Sequence, residues 1–173
     1  MPGRVKSHRV VLGLDPSLRG TGYGLIRREG RQWIAVAFGE VICPRNWERS
    51  RCLVRIAQTM RDIVGRHAPT ICVVEGLFFA QNHQTAMILG EARGAALASI
   101  AEAGLEVIEI APRKVKQAIV GYGGAQKHAV AKMVQRMLRL SETPTPDAAD
   151  GLALALTHAL QGQGPGIGVG KTI

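Results

Sequence analysis

The sequence lacks the features of secreted scaffolds and membrane proteins. Its three cysteines, Cys43, Cys52 and Cys72, have neither the even number of a disulfide framework nor the CxxC spacing of a zinc site. No apolar run approaches the roughly 18–20 residues that span a bilayer. The basic N-terminus is not followed by a signal-peptide core. We therefore expect a cytoplasmic protein with no membrane partner, and Cys72 as a small buried residue in an apolar run.

Acidic residues are scarce. Thirteen Asp and Glu oppose twenty-two Lys and Arg, which gives a formal charge of +9, and no acid lies between Glu109 and Glu142. That acid-free stretch carries seven cations: Arg113, Lys114, Lys116, Lys127, Lys132, Arg136 and Arg139. Such a stretch favours a polyanionic partner, above all nucleic acid. A solvated helix surface is the alternative interpretation.

The pattern of apolar residues predicts one α/β domain. Apolar residues make up 46% of the 173 residues, enough for a packed core. Runs of β-type residues predict strands over 9–15, 21–28, 32–42, 70–75 and 105–110. Helical periodicity predicts helices over 47–67, 82–103, 112–120, 126–140 and 147–160. We expect a mixed five-stranded sheet with helices on both faces over residues 1–161, followed by a flexible Gly-rich tail over 162–173.

Small residues mark one face of the helix predicted over 82–103. Gly90, Gly94, Ala95 and Ala98 would allow another element to approach closely. That element could belong to the same chain or to a second subunit, and the sequence leaves both open.

Four acids stand where site residues are expected. Asp15 and Glu75 each end an apolar strand-like run, and ligand sites in α/β sheets lie beyond the carboxyl ends of strands. Asp147 and Asp150 are three residues apart at the start of a helix, which puts both on one face. Asp147 could also serve only to cap that helix.

If these carboxylates meet, they need a cation. All-oxygen ligands favour Mg²⁺ or Mn²⁺ over zinc. Two such ions, about 3.5–4 Å apart, can activate water and stabilise the leaving oxygen of a phosphodiester. Unrelated surface acids remain the alternative.

Five motifs, in order over residues 9–160, closely resemble the RuvC family of bacterial Holliday junction resolvases. They are GLDPSLRGTGYG at 13–24, VEGLFFAQN at 74–82, LGEARG at 89–94, RKVKQAIVG at 113–121 and DAADGLALALTH at 147–158. The resemblance implies an RNase H-like fold and a homodimer. It also implies metal-dependent hydrolysis that places paired, symmetric nicks near the crossover, in recombination and repair.

The resemblance also implies roles for individual residues. Asp15, Glu75, Asp147 and Asp150 match the family's four catalytic acids, the ligands of two Mg²⁺ ions that Mn²⁺ can replace. Phe78 matches its junction-stacking aromatic residue, and Lys116 and Lys127 match its DNA-contacting lysines. Arg113 and Lys114, in the same acid-free stretch, are further expected DNA contacts. Family members usually work with the branch-migration proteins RuvA and RuvB.

The sequence departs from the family pattern at several positions, including Gly76 after the catalytic glutamate and Gly151, where Ala is usual. A glycine inside a helix costs up to about 1 kcal/mol. Two other functions remain open. An actin-like kinase or ATPase shares the acid and glycine-rich hairpin of 15–24, but it needs two such domains. A non-catalytic junction-binding module would keep the basic surface without cleavage.

Overall fold

A computed structural model describes residues 10–77, 82–161 and 170–173. The strands are β1 (Val10–Asp15), β2 (Gly20–Glu29), β3 (Gln32–Ile42), β4 (Ile71–Glu75), β5 (Glu106–Ile110) and β6 (Lys171–Thr172). The helices are α1 (Arg49–His67), α2 (His83–Glu102), α3 (Pro112–Val120), α4 (Lys127–Met137) and α5 (Pro146–Gln161). The predicted order of helices and strands is confirmed.

The strands form a single mixed sheet in the order β3-β2-β1-β4-β5-β6. β1, β4 and β5 run parallel, and β2, β3 and β6 pair antiparallel to their neighbours. Because Leu14 pairs with Val74, β1 and β4 end at the same edge of the sheet. The final acids of the two strands, Asp15 and Glu75, therefore project beyond that edge.

Helices cover both faces of the sheet, as predicted. Successive side chains of a strand point to opposite faces, so β1 serves two cores. Leu12 and Leu14 pack with Ile56 and Met60 of α1 on one face. Val11 packs on the other face in the core that includes α3, α4 and α5. α5 is the most buried helix, with Leu152 completely shielded from solvent.

Glycines let α5 lie directly on the backbones of β1 and β2. A Cβ atom on Gly13 would lie 1.9 Å from the carbonyl oxygen of Gly151, and one on Gly22 would lie 1.9 Å from that of Asp147. Conversely, a Cβ atom on Gly151 would lie 2.6 Å from the carbonyl carbon of Tyr23. The close approach accounts for a glycine inside a helix and brings the first turn of α5 to Asp15.

Most element bounds agree with the sequence-based expectations to within one residue, and the larger differences are these. The sheet has six strands rather than five, because Lys171 and Thr172, in the expected flexible tail, pair with β5. The fourth helix ends at Met137 rather than at 140, because Arg139 adopts a left-handed φ of 52°. The first helix begins at Arg49 rather than at 47. The boundary at residue 161 stays a prediction.

The three cysteines are free and buried. The expected burial of Cys72 is confirmed. Among the described helices, none combines the length and apolarity needed to cross a bilayer.

Candidate active site

Three carboxylates converge where β1 ends against the first turn of α5. Asp15, Asp147 and Asp150 each offer one carboxylate oxygen, and these three oxygens lie within 4.8 Å of one another. All three residues are half-buried. The i, i+3 spacing on α5 and the contact of α5 with β1 bring together side chains that are more than 130 positions apart.

Glu75 lies beside this group but outside it. Its carboxylate is close enough to raise the pKa of Asp15 electrostatically, and Asp150 in turn raises the pKa of Glu75. The carboxylate itself does not fall within the 4.8 Å group. The four predicted acids therefore share one edge of the sheet, three of them as a tight cluster.

The cluster holds more negative charge than its surroundings favour. Burial, followed by the carboxylates of Glu75 and Asp150, raises the pKa of Asp15 from 3.8 to about 7. Burial is also the main cause of the raised pKa values of Glu75 and Asp147. Carboxylates that resist ionisation in this way are stabilised by a cation placed among them.

The donor set fits a hard divalent cation. Mg²⁺ binds oxygen ligands at about 2.1 Å, so two ligands of one ion lie at most about 4.2 Å apart. The carboxylate oxygens of Asp15, Asp147 and Asp150 lie within 4.8 Å of one another, and small rotations of the side chains would bring them within that limit. Neither a histidine nor a cysteine belongs to the group, which agrees with an oxygen-only site.

A fifth acid, Glu40, was missed by the sequence interpretation. After burial, Glu40 is the largest cause of the raised pKa of Asp147. It sits on β3 opposite Gly22 of β2, and Gly22 lies against the backbone of Asp147. The pairing of two strands brings it here, and no local motif marked it.

Arg93 on α2 is a second residue that sequence interpretation missed. Its guanidinium donates a 2.6 Å hydrogen bond to the backbone oxygen of Glu75 and forms an ion pair with Glu109 at the end of β5. The Arg93 side chain is only 10% exposed. It thus ties the ends of β4 and β5 together behind Glu75. The available signal was a lone arginine in a helix rich in Ala and Gly.

One predicted basic residue contacts a carboxylate, and a second acts on the site electrostatically. Lys127, the first residue of α4, lies 3.2 Å from an oxygen of Asp150, and Asp150 is the main cause of its raised pKa. Lys116 on α3 lowers the pKa of Glu75 electrostatically. Arg113 and Lys114 are exposed in the first turn of α3. Phe78, the predicted stacking residue, lies outside the described residues.

Comparisons with known proteins agree with this architecture. A family model described as "Crossover junction endodeoxyribonuclease RuvC" matches residues 11–158. Curated proteins of that name are similar to this chain. The one from Akkermansia muciniphila is 41% identical over 86% of this chain and 89% of its own length. The one from Protochlamydia amoebophila is 44% identical over 87% and 90%.

A solved structure matches as well. The T. thermophilus RuvC in complex with Holliday junction substrate superposes with a TM-score of 0.83 at 35% identity, covering 90% of this chain and 96% of that one. This similarity confirms the RNase H-like fold that the motifs implied. Together with the match over residues 11–158, it shows that the chain belongs to the RuvC family of crossover junction endodeoxyribonucleases.

Proposed function

We propose that this chain resolves four-way DNA junctions by paired, symmetric nicks in strands of like polarity. The observation that carries the proposal is the convergence of Asp15, Asp147 and Asp150 at one edge of the sheet, with their oxygens within 4.8 Å. Lys116 and Lys127 stand beside these acids, where a phosphate would lie. An anionic cluster flanked by cations suits hydrolysis of a phosphodiester.

We infer that Asp15, Glu75, Asp147 and Asp150 are the catalytic acids and hold two Mg²⁺ ions, with Mn²⁺ able to replace them. When bound, such ions activate a water molecule and stabilise the leaving oxygen. Arg93 fixes the backbone at Glu75. The glycine contacts between β2 and α5 fix Asp147. The chain thereby holds its ligands on rigid elements rather than on loops.

The cations of α3 and α4 are proposed to position the DNA. Lys127 lies nearest the carboxylates, and Lys116 follows on the neighbouring helix. Arg113 and Lys114 extend the same positive surface. Contacts of this kind bind phosphates and carry no sequence preference. Phe78 is proposed, from its motif position, to stack on a base opened at the crossover.

The paired nicks require two active sites, and we propose a homodimer that uses the exposed face of α2. Met87 is 66% exposed there. Cβ atoms added to Gly90 or Gly94 would have no neighbour within 4 Å, so these two glycines do not serve packing inside the described part of the chain. Of the two open interpretations of this face, this supports the subunit interface.

Two further proposals rest on family membership. RuvA and RuvB are the proposed partners, because resolution follows branch migration in this family. The proposed location is the bacterial cytoplasm, where chromosomal junctions form. A pull-down with RuvA and RuvB on an immobilised junction would test the partnership.

Cleavage of a synthetic four-way junction tests the main proposal. A linear duplex of the same sequence serves as the substrate control, and each is incubated with Mg²⁺, with Mn²⁺ and with chelator. We expect symmetric nicks in the junction only, and only with metal. Binding without nicks in either metal would favour the non-catalytic module. Equal cutting of the linear duplex would contradict the proposed specificity for junctions.

Asp15→Asn separates cleavage from binding. It removes a proposed ligand with little change of shape, so cleavage should be lost while junction affinity is retained. Asp62→Asn is the matched control, because Asp62 is exposed on α1. Loss of junction binding by a folded Asp15→Asn variant would contradict the proposed division between metal ligands and DNA contacts.

Gly94→Leu tests the homodimer. The added side chain meets open space within one chain, so the fold should survive, but it would obstruct a partner helix. Gly65→Leu on α1 is the control, because its Cβ position is equally open. We expect light scattering to report a monomer for Gly94→Leu and a dimer for Gly65→Leu. A dimer of both variants would exclude the exposed face of α2 as the dimer interface.

A further inference from the structure

A second cationic surface lies on the opposite side of the sheet from Lys116 and Lys127. Arg51 and Arg55 are four residues apart in α1, so they lie on one face of the helix, and Trp47 lies just before its start. The Arg51 guanidinium carbon lies 3.7 Å from the centroid of the Trp47 ring, and that of Arg55 lies 5.3 Å from it. We call Trp47, Arg51 and Arg55 the arginine column.

The charges of the arginine column are not neutralised within the described part of the chain. Two other arginines of α1 are neutralised, since Arg49 near its start pairs with Glu91 at 3.0 Å and Arg61 nearer its end pairs with Glu102 at 3.0 Å. Neither Arg51 nor Arg55 has a carboxylate within 4.0 Å among residues 10–77, 82–161 and 170–173. Like charges four residues apart on a helix repel each other. An anionic partner would relieve that repulsion.

The indole of Trp47 orients the column for phosphate. A guanidinium stacked on an aromatic ring keeps the N–H groups in its own plane free. Two of these parallel N–H groups match two oxygens of a phosphate. Cation–π contact also restricts the side chain before binding, so less entropy is lost on association. Both arginines are exposed, so their guanidinium groups are accessible from solvent.

Arg19 anchors the arginine column to the edge of the sheet that carries the active site. Its guanidinium donates hydrogen bonds to the backbone oxygens of Pro44, at 2.6 Å, and Trp47, at 3.2 Å. The residue after it, Gly20, faces Asp147, since a Cβ atom there would lie 2.8 Å from the Asp147 carboxylate. One short turn thus contacts both the column and the metal-ligand cluster.

We propose that the arginine column binds the phosphate backbone of a DNA arm that enters the active site from the α1 side. The carboxylates then lie between two positive surfaces, the column on the face of α1 and α2, and Lys116 and Lys127 on the face of α3 to α5. DNA crossing the edge of the sheet contacts both. The proposal adds a binding surface to the proposed junction nuclease and rests on that function for its ligand.

The salt dependence of binding measures the number of phosphates contacted. We would titrate a fluorescent four-way junction and a linear duplex with chelator present, so that no cleavage occurs, across a series of NaCl concentrations. The Arg51→Gln/Arg55→Gln variant removes two charges. The control Arg61→Gln/Arg66→Gln removes two charges from the other end of the same helix. Thermal unfolding checks that each variant is folded.

We expect the slope of log K against log[salt] to fall in magnitude by about 0.9 per lost phosphate contact, hence by about 1.8 for the column variant. The control should keep the wild-type slope. Trp47→Leu retains both charges and should keep the slope while weakening affinity. Equal slopes for the column and control variants would overturn the proposal, even with cleavage intact. A wild-type protein that binds the junction without cutting it would overturn the proposed nuclease function instead. The slopes would still show whether the arginine column contacts DNA phosphates.

Discussion

Gly22→Ala tests whether backbone contact between β2 and α5 sets the metal site. The added Cβ atom would lie 1.9 Å from the backbone oxygen of Asp147. Non-bonded contacts of a Cβ atom are essentially never shorter than 3.0 Å, so β2 or α5 must move by the difference of about 1.1 Å. Both partners of the contact are backbone, so no side-chain rotation can absorb the shift.

Stability and metal binding should both suffer. Overpacking costs about 1–3 kcal/mol, against at most about 1 kcal/mol gained by replacing a strand glycine. We expect a net loss of about 1–2 kcal/mol, which for a chain of this size lowers Tm by about 2–8 °C. Metal–ligand distances vary by only about 0.2 Å in a working site. If α5 takes up even part of the shift, the displaced Asp147 should raise the Mg²⁺ concentration for half-maximal cleavage about 10–100-fold.

Gly65→Ala is the matched control. Gly65 lies in α1, and no atom lies within 4 Å of an added Cβ, so this substitution should stabilise the protein by about 0.4–1 kcal/mol. Calorimetry and a Mg²⁺ titration of junction cleavage would compare the two variants. Wild-type values of both Tm and Mg²⁺ dependence for Gly22→Ala would refute the argument that this contact positions Asp147.

Two further predictions concern the charged groups around the site. Without metal, the pKa of Asp15 is about 7 in the folded protein and 3.8 in the unfolded chain, so the folded state binds the proton more tightly. The free energy of unfolding should therefore fall as the pH rises from about 4 to about 7. Asp15→Asn should lessen that fall and stabilise the metal-free protein at pH 8, as Tm would report; an unchanged pH profile would contradict the assignment. Arg93→Gln leaves Glu109 without its partner and should cost about 1–3 kcal/mol while raising the Mg²⁺ requirement for cleavage. Arg61→Gln breaks an exposed ion pair and should change neither the stability nor the Mg²⁺ requirement. Equal effects of Arg93→Gln and Arg61→Gln would exclude a role of Arg93 in positioning Glu75.

Local patterns in the sequence were enough to predict the order of elements. Strand and helix periodicities extend over a few residues, and so do the signals that end them. They placed Asp15 and Glu75 at strand ends and Asp147 and Asp150 on one face of a helix. The sixth strand was missed because its cause is not local. Lys171 and Thr172 form a strand because β5 offers a free edge, and no apolar pattern marks that pair.

Distances between these elements were decided by the tertiary structure alone. Asp147 approaches Asp15 because glycines on β1 and β2 allow α5 to lie against the backbone of the sheet. Glu75 stays just outside the cluster of three, a distinction that sequence spacing cannot express.

Residue types and local spacings were enough to predict the fold class, the family and four candidate acids. Packing between distant parts of the chain determines which charges meet. Arg93 is a buried link between two strands, and Arg51 stacks on Trp47 at the start of α1. Both were ordinary helical arginines in the sequence. The physical reason is that burial and pairing of a charge depend on neighbours that packing supplies from other parts of the chain.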